Sequence, residues 1–292
     1  MLLKLLEKIA ALDRLEKVYR SVEDTVNLES FLDGALRALR VRVRLRGTTV
    51  AFPGQGPVIV VTNHPFGGLE GILLARILLG IRPDFKIMTN GLLERIAEVR
   101  PMLIGVDPFA HTGAAKRNVR PLRQCLKWLE SVGALVVFPA GTVSHVHVQR
   151  RRIMDPPWNR TVARLALRIQ CPVVPVCFKG RNSLLFQFMG LVHPSLRTLL
   201  LPRELLNKTG ATVCVTVGNP VAFRNPASME EARHAADYLR ARTYALGLSA
   251  ESNKFLRARD LISTQGAPLT PLRRKSPVAP PLPKERLVHD VR

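Results

Sequence analysis

Short runs of aliphatic and β-branched residues recur along this chain, separated by stretches of helical periodicity. Val58-Ile59-Val60-Val61, Ala134-Leu135-Val136-Val137-Phe138 and Val173-Val174-Pro175-Val176 are the clearest. A strand with one wet face alternates apolar and polar residues, whereas a strand covered on both faces is apolar throughout. Strands are expected at 57–62, 85–89, 103–106, 134–138, 173–178 and 212–218. Helices are expected at 69–79, 91–98, 115–131, 159–169, 196–206 and 228–246. Such alternation predicts an α/β domain, a mixed and largely parallel sheet flanked by helices.

Two regions differ from this pattern. Leu2, Leu5, Leu6, Ile9, Leu12 and Tyr19 recur at helical spacing with cations between them, so an amphipathic helix is expected over 2–20. It either packs on the domain or lies in a membrane interface. Val41-Arg42-Val43-Arg44-Leu45-Arg46 alternates strictly and reads as a half-buried strand with three arginines on one face. The expected organisation is a helical segment at 1–40, the α/β domain at 41–264 and a basic, Pro-rich, disordered tail at 265–292.

The stretch Asn63-His64-Pro65-Phe66-Gly67-Gly68-Leu69-Glu70-Gly71 follows the first apolar run. In an α/β sheet it falls at a strand's C-terminal end, where such sheets place their sites. A carboxylate six positions after a histidine can fix one imidazole nitrogen and leave the other to accept a proton, as in a general base. Gly67 and Gly68 let the backbone approach a ligand closely.

Phe138-Pro139-Ala140-Gly141-Thr142-Val143-Ser144 ends a second run in a turn whose amides and hydroxyls suit an oxyanion. Phe178-Lys179-Gly180-Arg181-Asn182-Ser183 ends a third, with two cations able to meet an anionic head group. Lys116, Arg117 and Arg120 follow Asp107 near the start of a helix.

The net charge of +22 favours an anionic partner, nucleic acid or an anionic membrane surface. Nucleic acid is the weaker reading. Aromatic residues are only 5 % of the chain, too few for stacking platforms, and the cations form no recognisable DNA- or RNA-binding motif. The four cysteines form no CxxC pair and sit in apolar surroundings, so buried free thiols are expected. No metal site is expected at His111, His145 or His147, the last two being placed one on each side of a strand or loop. No secretory leader is expected, because Lys4, Glu7 and Lys8 interrupt the first apolar stretch, and no run of apolar residues is long enough for a membrane span.

These blocks, in this order over roughly residues 10–225, resemble the glycerolipid (lysophospholipid) acyltransferase superfamily. They are most similar to its hemolysin-like branch, which includes relatives implicated in bacterial ornithine-lipid synthesis. The resemblance rests on Asn63 to Gly71, on Phe138-Pro139-Ala140-Gly141, on Val174-Pro175-Val176 followed by Gly180-Arg181-Asn182-Ser183, and on Arg203-Glu204-Leu205-Leu206-Asn207-Lys208. The superfamily motif places four residues between a His and an Asp; here five intervene and the acid is Glu70. Ala140, Val143 and Pro108 stand where the superfamily usually carries a Glu and two Arg residues, the arginines among its usual phosphate-binding groups. A zwitterionic or amino-acid head group is therefore expected over a plain glycerol phosphate, with Lys116, Arg117, Lys179 and Arg181 as substitutes.

The resemblance implies a glycerol-3-phosphate-acyltransferase-like fold and an O-acyltransferase moving an acyl group to a lysophospholipid or lyso-aminolipid. The donor would be a thioester of acyl carrier protein or of coenzyme A, and no metal or other cofactor is implied. His64 would be the general base, Glu70 its partner, and amides near Gly67, Gly68 and Gly141 the oxyanion donors. Asn63, Phe138, Pro139, Thr142, Ser144, Lys179, Arg181 and Asn182 would contact substrate. The expected place is peripheral, on the cytoplasmic face of a bacterial inner membrane. The alternative is a non-catalytic lipid-binding protein that keeps the fold.

Overall fold

The computed structural model describes residues 11–23, 25–47, 51–107, 114–223, 229–248 and 256–257. In chain order these form helices α1 (Leu12–Arg20) and α2 (Leu28–Ala38), strands β1 (Arg42–Arg46) and β2 (Val58–Thr62), and helix α3 (Leu69–Leu79). Strands β3 (Phe85–Asn90) and β4 (Leu103–Val106), helix α4 (Ala114–Glu130) and strand β5 (Ala134–Val137) follow. Next come the short strands β6 (His145–His147) and β7 (Arg152–Met154), helix α5 (Thr161–Ile169) and strand β8 (Val173–Lys179). Helices α6 (Leu184–Val192) and α7 (Pro194–Leu206), strand β9 (Thr212–Val217), helix α8 (Met229–Leu248) and the two-residue strand β10 (Leu256–Arg257) complete the set.

Eight strands form one sheet in the order β10-β1-β9-β8-β2-β5-β3-β4. The five from β8 to β4 run parallel, β9 is antiparallel to β8, and β1 is parallel to β9. The continuous apolar runs have a direct explanation in this arrangement. Successive side chains of a strand point to opposite faces, so β2 supplies Val58 and Val60 to one core and Ile59 and Val61 to another. The first core is closed by Leu32 of α2 and by Leu69, Leu73, Leu74 and Leu78 of α3. The second is closed by Cys125 and Leu129 of α4, Val162 and Leu165 of α5, and Leu239 of α8. Each fully buried aliphatic side chain contributes about 1.5–3 kcal/mol.

Strand β1 carries the expected pattern, with Leu45 buried and Arg42 and Arg44 exposed. The helix expected at 91–98 is instead a short 3-10 turn over Gly91–Arg95, begun where Asn90 Oδ1 accepts from the amide of Leu92 (3.0 Å). Its two exposed leucines, Leu92 and Leu93, have no core to face. The continuous helix expected over 2–20 is broken: α1 begins at Leu12, and Ala11 has a left-handed φ of 57°. Residues 2–10 lie outside the described residues.

The sequence pattern does not predict helix α6 or the β6–β7 hairpin. Leu184–Val192 is apolar on nearly every side, which hides its periodicity. The chain divides into a unit at Met1–Leu261 and a second at Ile262–Arg292. The second, and with it the expected tail, lies outside the described residues. All four cysteines are free thiols, and Cys125, Cys171 and Cys177 are buried. No described helix is long and apolar enough to cross a membrane.

Candidate active site

Strands β8, β2 and β5 are neighbours and parallel, so the three loops singled out in the sequence leave the same end of the sheet side by side. The loop after β2 is central. Its backbone is drawn around Glu70 in the first turn of α3, whose Oε1 accepts from the amides of Phe66 (2.5 Å) and Gly67 (3.3 Å). The same oxygen lies 3.5 Å from His64 Nδ1. Glu70 is fully buried, while the His64 side chain keeps 17 % exposure. His64 Nδ1 and the second Glu70 oxygen are both buried without a hydrogen-bond partner. Phe138, at the end of β5, lies against the imidazole with ring centroids 4.4 Å apart. The ring is thus flanked by a carboxylate and an aromatic wall, and its Nδ1 side faces the carboxylate.

A second carboxylate holds the backbone of the same residue. Asp155, just after β7, is fully buried and accepts from the His64 amide (3.2 Å), the Ser144 hydroxyl and the Trp158 indole N–H (2.9 Å). Its own amide donates to the Tyr244 hydroxyl (2.8 Å), and its carbonyl accepts from Arg240 (2.6 Å). Burial, then the charge of Asp155, pushes the Tyr244 phenol well above its usual value. The Ser144 amide donates to the His64 carbonyl (2.8 Å), so both backbone polar groups of His64 are held. The sequence pattern predicts none of this network. Asp155-Pro156-Pro157-Trp158 reads as a loop, and Trp158 reads as the start of a packed helix. The one available signal was an acid followed three residues later by a tryptophan, which has no distinctive spacing.

Several residues expected to meet substrate serve the scaffold instead. Both ends of the Asn63 amide bond the backbone of Phe178 (2.8 and 2.9 Å), which fastens the β2 loop to β8. Asn182 donates to the Phe66 carbonyl (3.1 Å) and is 2 % exposed. Ser144 is buried against Asp155 and is not presented at the turn. Pro139 is buried. Phe138 and Thr142 remain partly exposed, and Lys179 and Arg181 are exposed at the end of β8.

Of the three glycines, Gly67 has a φ of 108° that favours glycine, and its amide is taken by Glu70. Gly141, with φ 64°, uses its amide to close a turn onto the Phe138 carbonyl (3.0 Å). Gly68 opens α3, and nothing lies within 4 Å of where its side chain would sit.

Two of the three positions that depart from the superfamily pattern, Ala140 and Val143, are explained by packing. Val143 is buried with Phe186 of α6 and Leu200 of α7, and Ala140 packs on the second core. Arg117 is paired with Asp107 (2.9 Å), whose amide and carbonyl are bridged by Asn118 (2.8 and 2.7 Å). Lys116 is exposed, and Pro108 and His111 lie outside the described residues. His145 and His147 do not lie on opposite sides. Two residues apart on a strand they share a face, and their rings stack at 4.9 Å.

The acyltransferase family model matches residues 3–253. The chain belongs to the glycerolipid/lysolipid acyltransferase family. It is an enzyme, an O-acyltransferase. It is 26 % identical over 249 residues to the lyso-glycine lipid O-acyltransferase of Bacteroides thetaiotaomicron, covering 82 % of this chain and 88 % of that one. It is 26 % identical over 226 residues to the enzyme of the same name from Phocaeicola vulgatus, covering 75 % and 78 %. Among solved structures, the 1-acyl-sn-glycerophosphate acyltransferase of Thermotoga maritima superposes with a TM-score of 0.51 at 22 % identity, covering 78 % of this chain and 80 % of that one. That likeness supports the mixed, mostly parallel sheet flanked by helices.

Proposed function

We propose that this acyltransferase moves a fatty acyl group from a thioester to the hydroxyl of a lyso-aminolipid, with His64 as general base. The observation that carries the reading is the His64–Glu70 pair: a partly exposed imidazole whose Nδ1 faces a fully buried carboxylate. His64 Nε2 takes the acceptor hydroxyl proton as the oxygen attacks the thioester carbonyl. The resulting oxyanion meets the amide of Gly68 at the N-terminal end of α3. Collapse of the tetrahedral intermediate expels the thiolate, which takes the proton back from the imidazolium. Glu70 stabilises that imidazolium, and its unpartnered oxygen and the unpartnered Nδ1 are an acceptor and a donor waiting to meet.

The acceptor class follows from what replaces the usual phosphate ligands. Val143 faces the core, so this turn supplies no cation for a phosphate. The exposed Lys179 and Arg181 can pair with a head-group carboxylate, and the names of the two relatives point to a glycine head group. The donor is a thioester of acyl carrier protein or coenzyme A, and the enzyme works on a membrane surface.

The test is acyl transfer by purified protein in lipid vesicles, with both thioesters and a panel of lysolipids that includes lyso-glycine and lyso-ornithine lipids. The wild type should give a diacyl product by mass spectrometry, and His64→Ala should lower the rate about 10³-fold or more. Equal turnover by His64→Ala would remove His64 from the chemistry. Full activity with lysophosphatidic acid and none with aminolipids would overturn the acceptor assignment.

A further inference from the structure

Helices α6 and α7 carry an apolar surface that the catalytic reading leaves unused. One face of α6 is internal: Phe186 joins Val143 and Leu200, and Gln187 accepts from the amide of Val146 (2.9 Å). The opposite face should then be polar, yet it is made of Leu184, Leu185, Phe188, Leu191 and Val192, and Leu199 of α7 is exposed as well. At one, four, seven and eight residues from Leu184, the others fall with it in about a third of the helix circumference. Leu184 is 76 % exposed and Phe188 63 %. Elsewhere on the described surface, exposed apolar residues such as Val119, Val132 and Val148 lie on separate elements, which is ordinary.

The hairpin's own charge outside the core is of one sign, its single acid, Glu204, being fully buried. No Asp or Glu occurs between Asp155 and Glu204, while Lys179, Arg181, Arg197 and Arg203 lie on or beside the hairpin. The hairpin is also fixed to the site. Glu204, fully buried on α7, accepts from the amide (2.9 Å) and hydroxyl (2.5 Å) of Ser183, which caps α6. Asn182 holds the Phe66 carbonyl, and a Cβ on Gly67 would lie 2.8 Å from Leu201 of α7.

We infer that the outer face of the α6–α7 hairpin docks the enzyme on an anionic lipid bilayer, Phe188 and its neighbours entering the interface and the cations meeting head groups. A helix with an apolar face and flanking cations binds bilayers in this way. A second copy of the chain fits less well, because a two-fold contact would bring these cations against their own copies. The inference rests on the proposed lipid acceptor only in that such a substrate resides in a bilayer; docking itself needs no turnover.

Vesicle flotation tests it, using mixed phosphatidylglycerol–phosphatidylcholine vesicles and phosphatidylcholine alone. The wild type and His64→Ala should bind the anionic vesicles equally. The double variant Phe188→Asp/Leu191→Asp should bind about tenfold less tightly or worse, with an unchanged thermal midpoint since both side chains are exposed. An environment-sensitive dye on Phe188→Cys, in a Cys214→Ser background, should shift to the blue when anionic vesicles are added; the same dye on Val119→Cys should not. Undiminished vesicle binding by the double variant would overturn the inference. So would a dye already shifted without vesicles, which would mean that this chain or a second copy covers the face. Loss of acyl transfer in His64→Ala with binding retained would bear on the catalytic proposal alone.

Discussion

Glu70 and Asp155 are both carboxylates without solvent exposure, and both act on His64, yet they do so from unlike parts of the molecule. Glu70 is six residues further along, in the first turn of α3, and approaches the imidazole, gathering the Phe66 and Gly67 amides on one oxygen. Asp155 comes from 91 residues away and never faces the ring; it holds the amide of His64 together with Ser144 and Trp158. Glu70 has an oxygen without a partner, whereas both oxygens of Asp155 are engaged. A buried carboxylate left partly unsatisfied is costly, and a catalytic role is one reason for a fold to retain it. The difference separates a group poised to respond when the ring gains charge from a group that keeps the ring in place.

Removing each carboxylate should therefore fail differently. Asp155→Ala strips the acceptor from an amide, a hydroxyl and an indole N–H, each costing about 1–3 kcal/mol when left buried and unpaired. We expect a stability loss of about 3 kcal/mol or more by denaturant titration, with activity falling because less protein is folded. If Asp155→Ala melts like the wild type, the scaffold role is wrong. Glu70→Gln keeps an oxygen for the Phe66 and Gly67 amides but loses the charge. We expect a stability change of about 1 kcal/mol and a turnover drop on the order of 100-fold. An equal loss of stability in both variants would erase the distinction between them.

That contrast also explains what could be read from the sequence. The buried strands were legible because each fills two cores, and a strand with two dry faces has to be apolar at every position. The His64–Glu70 pair is legible because its partners are six residues apart, on either side of one short loop. Asp155 was not, because the contact depends on where the segment after β7 falls against β2, and nothing in Asp155-Pro156-Pro157 encodes that distance. Asn63 precedes the histidine and Asn182 lies in the block after β8, and the motif resemblance makes both read as substrate contacts. Their amides instead join β2 to β8, a neighbour relation that strand order alone decides. Helix α6 escaped for the opposite reason: it is apolar on its inner and outer faces alike, so no period marks it.

Tyr244 sharpens the Asp155 side of the comparison through pH. Burial and the nearby Asp155 charge raise its phenol above the ordinary value near 10. The unfolded chain therefore loses this proton at a pH where the folded chain keeps it. The contribution is present below about pH 10 and is lost as pH rises above it. Stability should fall between pH 10 and the raised value, and Tyr244→Phe should flatten that fall in a pH series of melts. If the two proteins show the same alkaline slope, Tyr244 is not held against Asp155 in solution.

Ser144→Ala should have the smallest effect, and it separates a scaffold hydroxyl from a substrate contact. Ser144 is 3 % exposed and donates to the same Asp155 oxygen that receives the His64 amide. The alanine variant removes one donor, and Asp155 still has the His64 amide and the Trp158 indole. We expect a loss of about 1 kcal/mol with the Michaelis constant for the lipid acceptor unchanged. A hydroxyl that touched the head group would give the reverse pattern, a stable protein whose Michaelis constant rises. Measuring both quantities on one variant therefore decides whether the turn after β5 meets the substrate through Ser144, or only through its partly exposed neighbours Phe138 and Thr142.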